Sequence, residues 1–305
     1  MTDSTQEKPS HISVCVCTYK RSALLKRLLL ELDRQITEGL FTYSIVIADN
    51  DEAKSAESLI KEMQQVLKIP IEYCVESRQN IALARNKVVE NARGDYLAFI
   101  DDDEFPITTW LLTLFKACNA FDVDGVLGPV KRHFDQTPPK WMLKSKFYNR
   151  RVNPTGMQVE WQEARTGNVL LRRRVLDNDP MPFRPEFRAG EDQDFFRRKI
   201  ESGYKFVWCA EAEAFEVVPP TRWKRIYLMR KALLRGATAG LQPSCGLISV
   251  MKSLIAIPLY FIALPVSVIL GHHIFMTLMV KMCDHAGKLL ILSGINPVRG
   301  EYVTE

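Results

Sequence analysis

Apolar and polar positions alternate in blocks along the first 120 residues, and the blocks change period in a regular order. Residues 12–18 read as a strand, and residues 22–35 as a helix with Leu24, Leu25, Leu28, Leu29 and Leu32 on one stripe. The same rhythm continues with a strand over 43–48, a helix over 56–67, a strand over 71–75 and a helix over 81–92 closed by Gly94. A strand over 96–100 and a helix over 109–120 follow. Strand and helix in strict succession predict a Rossmann-like, mostly parallel α/β sheet with helices on its faces. The strand over 96–100 is apolar at every position, as expected of a strand covered on both sides, and ligands of such sheets bind beyond the carboxyl ends of the strands.

The pattern is less regular afterwards. Residues 167–171 read as a strand, and a helix starts after Gly190 with Glu191, Asp192 and Asp194 in its first turn and Phe195, Phe196 and Ile200 further on. From Arg222 the composition shifts. Lys224, Arg225, Arg230, Lys231 and Arg235 are interleaved with Trp223, Ile226, Tyr227 and Leu228, a basic amphipathic stretch of the kind that lies on anionic membrane or forms a solvated helix face. Residues 253–280 then hold no Lys, Arg, Asp or Glu, a run long enough to reach across or deep into a hydrocarbon layer about 30 Å thick. Pro258, Pro265 and Gly271 interrupt it, which leaves a single span, a re-entrant or interfacial arrangement and a soluble helix pair open. The expected organisation is a flexible N-terminus over 1–10, a catalytic domain over 11–220 and a membrane-associating region over 221–305.

Composition adds bounds. The 305 residues are 47% hydrophobic and 25% charged, which excludes a disordered chain and permits one large α/β domain with an appendage. A net charge of +5 is too small to argue for nucleic acid without a patch or motif. The seven cysteines include no Cys-x-x-Cys pair, and no apolar leader precedes Ser10, so a reducing, cytoplasmic setting is expected.

The candidate chemistry is acidic. Asp101, Asp102, Asp103 and Glu104 follow directly on the all-apolar strand, where crowded carboxylates repel one another unless a cation neutralises them, and hard oxygen donors select Mg²⁺ or Mn²⁺. A solvated acidic turn capping the next helix is the plain structural alternative. Asp49 and Asp51 follow the second strand, and Glu191 and Asp192 open the late helix.

These acidic groups occur with Val16-Cys17-Thr18-Tyr19-Lys20-Arg21, with Asn80-Ile81-Ala82-Leu83-Ala84-Arg85-Asn86 and with Gly167-Asn168-Val169-Leu170-Leu171. In that order and spacing, over roughly residues 11–220, the chain resembles glycosyltransferase family 2, in particular the bacterial polysaccharide-assembling members with a GT-A fold. The resemblance implies that Thr18, Tyr19, Arg21, Asp49 and Asp51 hold the nucleotide, and that Asp101 and Asp103 bind ribose and a divalent metal, Asp103 more directly. Arg85 has two uses of equal weight, a charge on the donor diphosphate or an ion pair with Asp101. Asp192 is the expected general base of an inverting displacement, with Gly167, Asn168, Glu191 and Asp194 on the acceptor side. Many GT-A enzymes add a histidine to the metal; none of the five histidines falls in that place, which Glu216 occupies instead. The implied protein is a metal-dependent, hexosyltransferase-like glycosyltransferase at the cytoplasmic face of the membrane. It moves a sugar from a nucleotide diphosphate, expected to be UDP, to a lipid-linked or growing glycan. A metal-dependent nucleotidyltransferase is the rival enzyme, although the Gly-rich phosphate loop it needs is absent after the first strand. A catalytically silent membrane scaffold is the rival outside enzymes.

Overall fold

In the computed structural model, residues 9–177, 179–187, 190–241 and 245–297 are described. The chain divides into two compact units, one comprising the residues through Lys131 with Arg150–Glu216, the other Arg132–Asn149 with the residues from Val217 on. Residues 1–8 of the expected flexible N-terminus lie outside the described residues.

The chain order in the first unit is β1 (Ser10–Thr18), α1 (Ser22–Leu32), β2 (Phe41–Asp49), α2 (Glu57–Val66), β3 (Ile71–Val75), α3 (Ile81–Asn91) and β4 (Tyr96–Ile100). There follow β5 (Glu104–Pro106), α4 (Trp110–Ala120) and β6 (Gly125–Leu127). β7 (Val130–His133) leads into α5 (Lys140–Lys144), which belongs to the second unit, and the first unit resumes with β8 (Asn168–Arg172), α6 (Glu191–Glu201), β9 (Phe206–Trp208) and β10 (Ala214–Val217). Seven strands form one sheet in the order β3-β2-β1-β4-β8-β6-β9. β1 pairs in parallel with both β2 and β4, and β6 with β9, whereas β8 runs antiparallel to both of its neighbours. The sheet is therefore mostly parallel, and the strand expected over 167–171 is its reversed member.

Both faces are covered, as the apolar strands require. Ile12, Val14 and Val16 of β1 point to one side and pack with Leu25, Leu28 and Leu29 of α1 and Trp110 and Leu114 of α4. Cys15 points to the other side, where Leu97 and Phe99 of β4 meet Ala82 and Val88 of α3 and Phe195 and Phe196 of α6. All five residues of β4 are buried. Removing this much apolar surface from water, at about 25 cal/mol per Å², is what holds the polar strand ends in fixed positions. β4 and β1 thus stand in the middle of the sheet, so whatever follows them is held by the most rigid part of the unit.

In the second unit, α7 (Arg225–Leu241), α8 (Leu247–Leu270) and α9 (His272–Leu292) follow one another. A small core of Met142, Tyr148, Val218, Leu228, Ala232, Met276 and Val280 holds it together. The apolar stretch expected over 253–280 is two helices joined at Gly271.

Candidate active site

The register places Thr18 opposite Asp49, so β1 and β2 end side by side. Asp49 is fully buried, and its carboxylate is already engaged. Oδ1 accepts from the Asp51 amide at 3.1 Å, and Oδ2 accepts from the Ala56 amide at 2.8 Å and the Tyr73 hydroxyl at 2.9 Å. This side chain fixes the loop between β2 and α2 and anchors the start of that helix. Asp51 accepts from the Ala53 amide at 3.3 Å and lies 3.9 Å from the Lys20 ammonium. Tyr19 is half-buried beneath Lys20, whose ammonium stands 5.0 Å from the ring centre.

Thr18 and Arg21 turn toward the acidic run after β4. The Thr18 hydroxyl donates to Asp102 Oδ2 at 2.8 Å, and Arg21 Nη1 reaches Asp102 Oδ1 at 3.1 Å and Asp103 Oδ2 at 3.3 Å. Burial pushes the Asp102 carboxyl upward, Arg21 opposes the shift, and Asp103 adds to it. Asp101 leaves 44% of its side-chain surface open and lies 3.6 Å from Arg85 Nη2. Its carboxyl is raised by desolvation, with Arg85 and Arg150 opposing and the charges of Asp103 and Asp192 contributing upward.

Glu104 differs from its neighbours. It is 2% exposed, and both carboxyl oxygens are buried without a hydrogen-bond partner. Burial drives its pKa well up, Asp101 adds to that, and Arg150 counteracts it. β5 carries Glu104 into antiparallel register with Glu216 of β10, and Arg150 Nη2 donates to Glu216 Oε2 at 2.9 Å. Gly167 lies against this group: a Cβ there would come within 2.7 Å of Glu104 Oε1 and 3.2 Å of Asp101 Oδ2. A side chain at 167 would fill the space beside two carboxylates, which is the physical reason for glycine at that position.

The late helix reaches the same place through Arg85. From α3, Arg85 joins Asp101 on one side and Glu191, the first residue of α6, on the other. Both Arg85 and Glu191 are buried, so the pair is shielded from water and each side chain depends on the other to compensate its charge. Two asparagines of the Asn80–Asn86 motif fix the approach to α6. Asn80 Nδ2 donates to the Pro185 carbonyl at 2.9 Å, and Asn86 exchanges hydrogen bonds with the backbone of Phe183 at 2.7 and 2.9 Å. The side chain of Asn80 also caps α3 by accepting from the amides of Ala82 and Leu83. Asp192, next along α6 from Glu191, is partly exposed, and its charge acts on Asp101, Arg85 and Glu191.

Asp101, Asp102, Asp103, Arg21, Arg85, Glu191, Asp192 and Gly167 therefore surround one strand end. Two other expected acceptor-side residues have structural work. Asn168 is buried, accepts from Trp110 Nε1 at 2.8 Å and donates to the carbonyls of Pro129 and Ala212 at 3.0 and 2.8 Å. Asp194 is buried and held by Arg197 and Arg198 at 2.9 Å each. Glu104, Arg150 and the clasp made by Asn80 and Asn86 were not found from the sequence as structural contributors. For the asparagines the signal was present, since Asn before an apolar helical run is a capping residue.

Among the described residues no three His, Cys, Asp or Glu side chains are grouped as a metal cage. The donor set nevertheless fits a hard divalent cation that shares its coordination with phosphate and water. The charge of Asp103 raises the Asp101 carboxyl, a load that a cation would relieve, and the buried Glu104 carboxyl beside them offers oxygens without a hydrogen-bond partner.

Comparisons with known proteins bear on the family and the fold. Residues 13–178 match the sequence model of "Glycosyl transferase family 2". Over 232 residues the chain is 32% identical to the succinoglycan biosynthesis protein ExoM of Rhizobium meliloti, which covers 75% of this chain and 74% of ExoM. Among solved structures, S. aureus TarS 1-349 in complex with UDP superposes with a TM-score of 0.54 at 15% identity, over 96% of this chain and 93% of that one. The mannosyltransferase PcManGT from Pyrobaculum calidifontis, in complex with GDP-Man and Mn²⁺, gives a TM-score of 0.56 at 14% identity, over 97% and 77%. Fold, motif order and relatives converge, and the chain belongs to glycosyltransferase family 2.

Proposed function

We propose that this chain is an inverting, metal-dependent hexosyltransferase that transfers a sugar from a UDP-linked donor to a lipid-linked or growing glycan in cell-surface polysaccharide synthesis. It works at the cytoplasmic face of the membrane, which it meets through its C-terminal helices. The observation that carries the reading is the bridge made by Arg85 between Asp101 and Glu191. It brings the start of α6, and with it Asp192, to the strand end where the nucleotide-binding loops converge.

The loop of Thr18, Tyr19 and Arg21, with Asp51, receives the nucleotide, and the buried Asp49 holds that loop in shape. Asp103, with Asp101, would hold Mg²⁺ or Mn²⁺, which when bound offsets the charge developing on the departing diphosphate. Asp192 accepts the proton of the acceptor hydroxyl as that oxygen attacks the anomeric carbon and the bond to the diphosphate breaks. Attack on the face opposite the leaving group gives inversion, by the same logic as a carboxylate base activating water in inverting glycosidases. Glu191 and Arg85 set the direction of Asp192. Support comes also from the relative named for succinoglycan biosynthesis and from structural neighbours solved with UDP and with GDP-Man and Mn²⁺.

The test uses the purified full chain with a panel of nucleotide-sugars, Mn²⁺ and a membrane lipid extract, reading nucleoside diphosphate release and sugar incorporated into lipid. Release that depends on both the metal and the lipid extract supports the reading. Incorporation that proceeds at the wild-type rate in Asp192→Asn overturns the assignment of the base.

A further inference from the structure

The second unit differs from the first in charge and in the sense of its burial. Its residues hold 14 Lys and Arg against 4 Asp and Glu, out of 41 and 36 in the whole chain, which leaves 27 against 32 for the first unit. The excess positive charge is thus concentrated in the unit that also holds the apolar helix. α8 is 24 residues long, about 36 Å, with a mean hydropathy of 2.3 over its most apolar stretch.

Its packing is inside out. The two buried residues of α8 are Ser253 and Ser267, which lie on one seam with Tyr260 at intervals of seven. Along that seam Ser253 Oγ is 2.9 Å from His285 Nδ1 of α9, Lys288 Nζ donates to Ser249 Oγ at 2.9 Å, and Lys281 stands 6.0 Å from the Tyr260 ring centre. The opposite face exposes Ile248, Ile255, Leu259, Ile262, Val266 and Ile269. A water-facing helix buries its leucines and exposes its serines; the reverse pattern suits a helix that meets hydrocarbon on its outside.

The neighbours of α8 decide how it lies. α9 packs against both α7 and α8. α7 and α9 run side by side, with Arg225 Nε 3.0 Å from His272 at one end and Gly240 against Lys288 and Ile291 at the other. Between these ends Gly236 and Gly287 let the two backbones touch, and Arg235 pairs with Asp284 at 2.8 Å. If these helices stood upright in a bilayer, the exposed Lys281 near the middle of α9 and the Arg235–Asp284 pair would sit deep in hydrocarbon, where ionised side chains are costly. Laid flat, the same three helices form layers, with basic α7 toward water, α9 between and apolar α8 outermost.

We infer that α8 lies in the plane of the membrane, its apolar face inserted among the acyl chains of one leaflet of an anionic bilayer, and that it does not cross. Lys252 of α8 and Lys281 of α9, both exposed beside that apolar face, meet the negative headgroups, and each contributes electrostatic attraction that salt weakens. This deepens the membrane part of the proposed function and is independent of its sugar chemistry.

The experiment uses the full chain in two steps. Flotation with phosphatidylcholine vesicles, with and without phosphatidylglycerol, should give binding that rises with the anionic lipid and falls with salt. Absence of flotation on either vesicle would retire the membrane reading altogether, while transferase activity in detergent would still report on the catalytic one. In cell-membrane vesicles with the cytoplasmic face outward, an impermeant maleimide read by peptide mass spectrometry is then applied to the His273→Cys variant. The native Cys245 before α8 and the new cysteine after it should both be labelled from outside. Labelling of one from outside and the other only after permeabilisation shows a span and overturns the inference. A tryptophan at position 262 should be quenched by lipids brominated near the headgroup more than by lipids brominated at the chain end. Lack of quenching by either lipid shows a protein-covered face and overturns it as well.

Discussion

Asp49 and Asp101 both stand at or just past the carboxyl end of a parallel strand in the same sheet, yet they have opposite fates. Asp49 is fully buried and accepts three hydrogen bonds from its own loop and from Tyr73. Asp101 remains partly open, balanced by Arg85 and Arg150 and pressed by the charges of Asp103 and Asp192. A carboxylate whose lone pairs are satisfied internally shapes a site, whereas one left under electrostatic load is available to a ligand. Position at a strand end is common to both, so position alone does not distinguish a structural acid from a reactive one.

The largest effect that would sharpen this contrast is at Asp192. Asp192→Asn keeps the shape and removes the basicity, so transfer should fall by about 10²- to 10⁴-fold while the thermal shift produced by the UDP-sugar stays the same. Next comes the loaded strand end itself. Asp103→Ala, or treatment of the wild type with EDTA, should weaken donor binding by about 10- to 100-fold, measured by calorimetry with Mn²⁺ present and absent. Donor affinity unaffected by either change would place the cation elsewhere.

Arg85 tests whether α6 is positioned or merely adjacent. Arg85→Ala leaves Glu191 without its partner and lets the start of α6 drift; a displacement near 1 Å can cost about 100-fold in rate. The loss should appear in kcat, with Arg85→Lys recovering part of it because one charge is restored without the two-sided reach of a guanidinium. A loss confined to the KM of the donor, equal for Ala and Lys, would instead place Arg85 on the diphosphate.

Much of this arrangement was legible in the sequence, for a definable reason. The strands and helices from β1 to α4 follow long periodic segments, and their faces are set by local alternation. The predicted helix over 22–35 ends earlier, at Leu32, because Gln35 turns its amide to the Ile107 carbonyl and the Leu111 amide, a tertiary contact that the local pattern does not encode. β5 and β10 are three and four residues long and carry glutamates, so no period marks them as strands. Arg150 sits in a stretch without regular structure, and its pairing with Glu216 spans 66 positions. The acidic groups were readable as separate motifs, while the bridge joining two of them, from Arg85 to Asp101 and Glu191, was visible only as one of two uses. Motif order carries the identity of the parts, and long-range ion pairs carry their assembly.

A smaller effect distinguishes the two kinds of acid through stability. Asp49→Ala leaves the Ala56 and Asp51 amides and the Tyr73 hydroxyl without their acceptor, and should lower unfolding stability by about 1–3 kcal/mol, measured by chemical denaturation. The rate at saturating donor should change little. A loss of donor affinity much larger than the loss of stability would give Asp49 a direct part in nucleotide binding in addition to its loop.

Glu104 offers the smallest change and the clearest sign. Its carboxyl is raised in the folded state by burial, so the folded protein holds that proton more tightly than the unfolded chain does. The associated stability is complete below the ordinary glutamate range and is lost as pH rises from there toward the raised value. Glu104→Gln imitates the neutral form and cannot ionise, so it should equal the wild type near pH 4 and become the more stable of the two, by about 1 kcal/mol, as the pH rises. Denaturation midpoints of both proteins across pH 4 to 9, without added metal, measure the difference. Addition of Mn²⁺ should narrow the gap, because a cation near Asp101 and Asp103 favours the ionised carboxyl next to them. A constant gap at all pH values would mean that Glu104 keeps the same protonation in the folded and unfolded chains, and that the load at this strand end rests on Asp101 and Asp102.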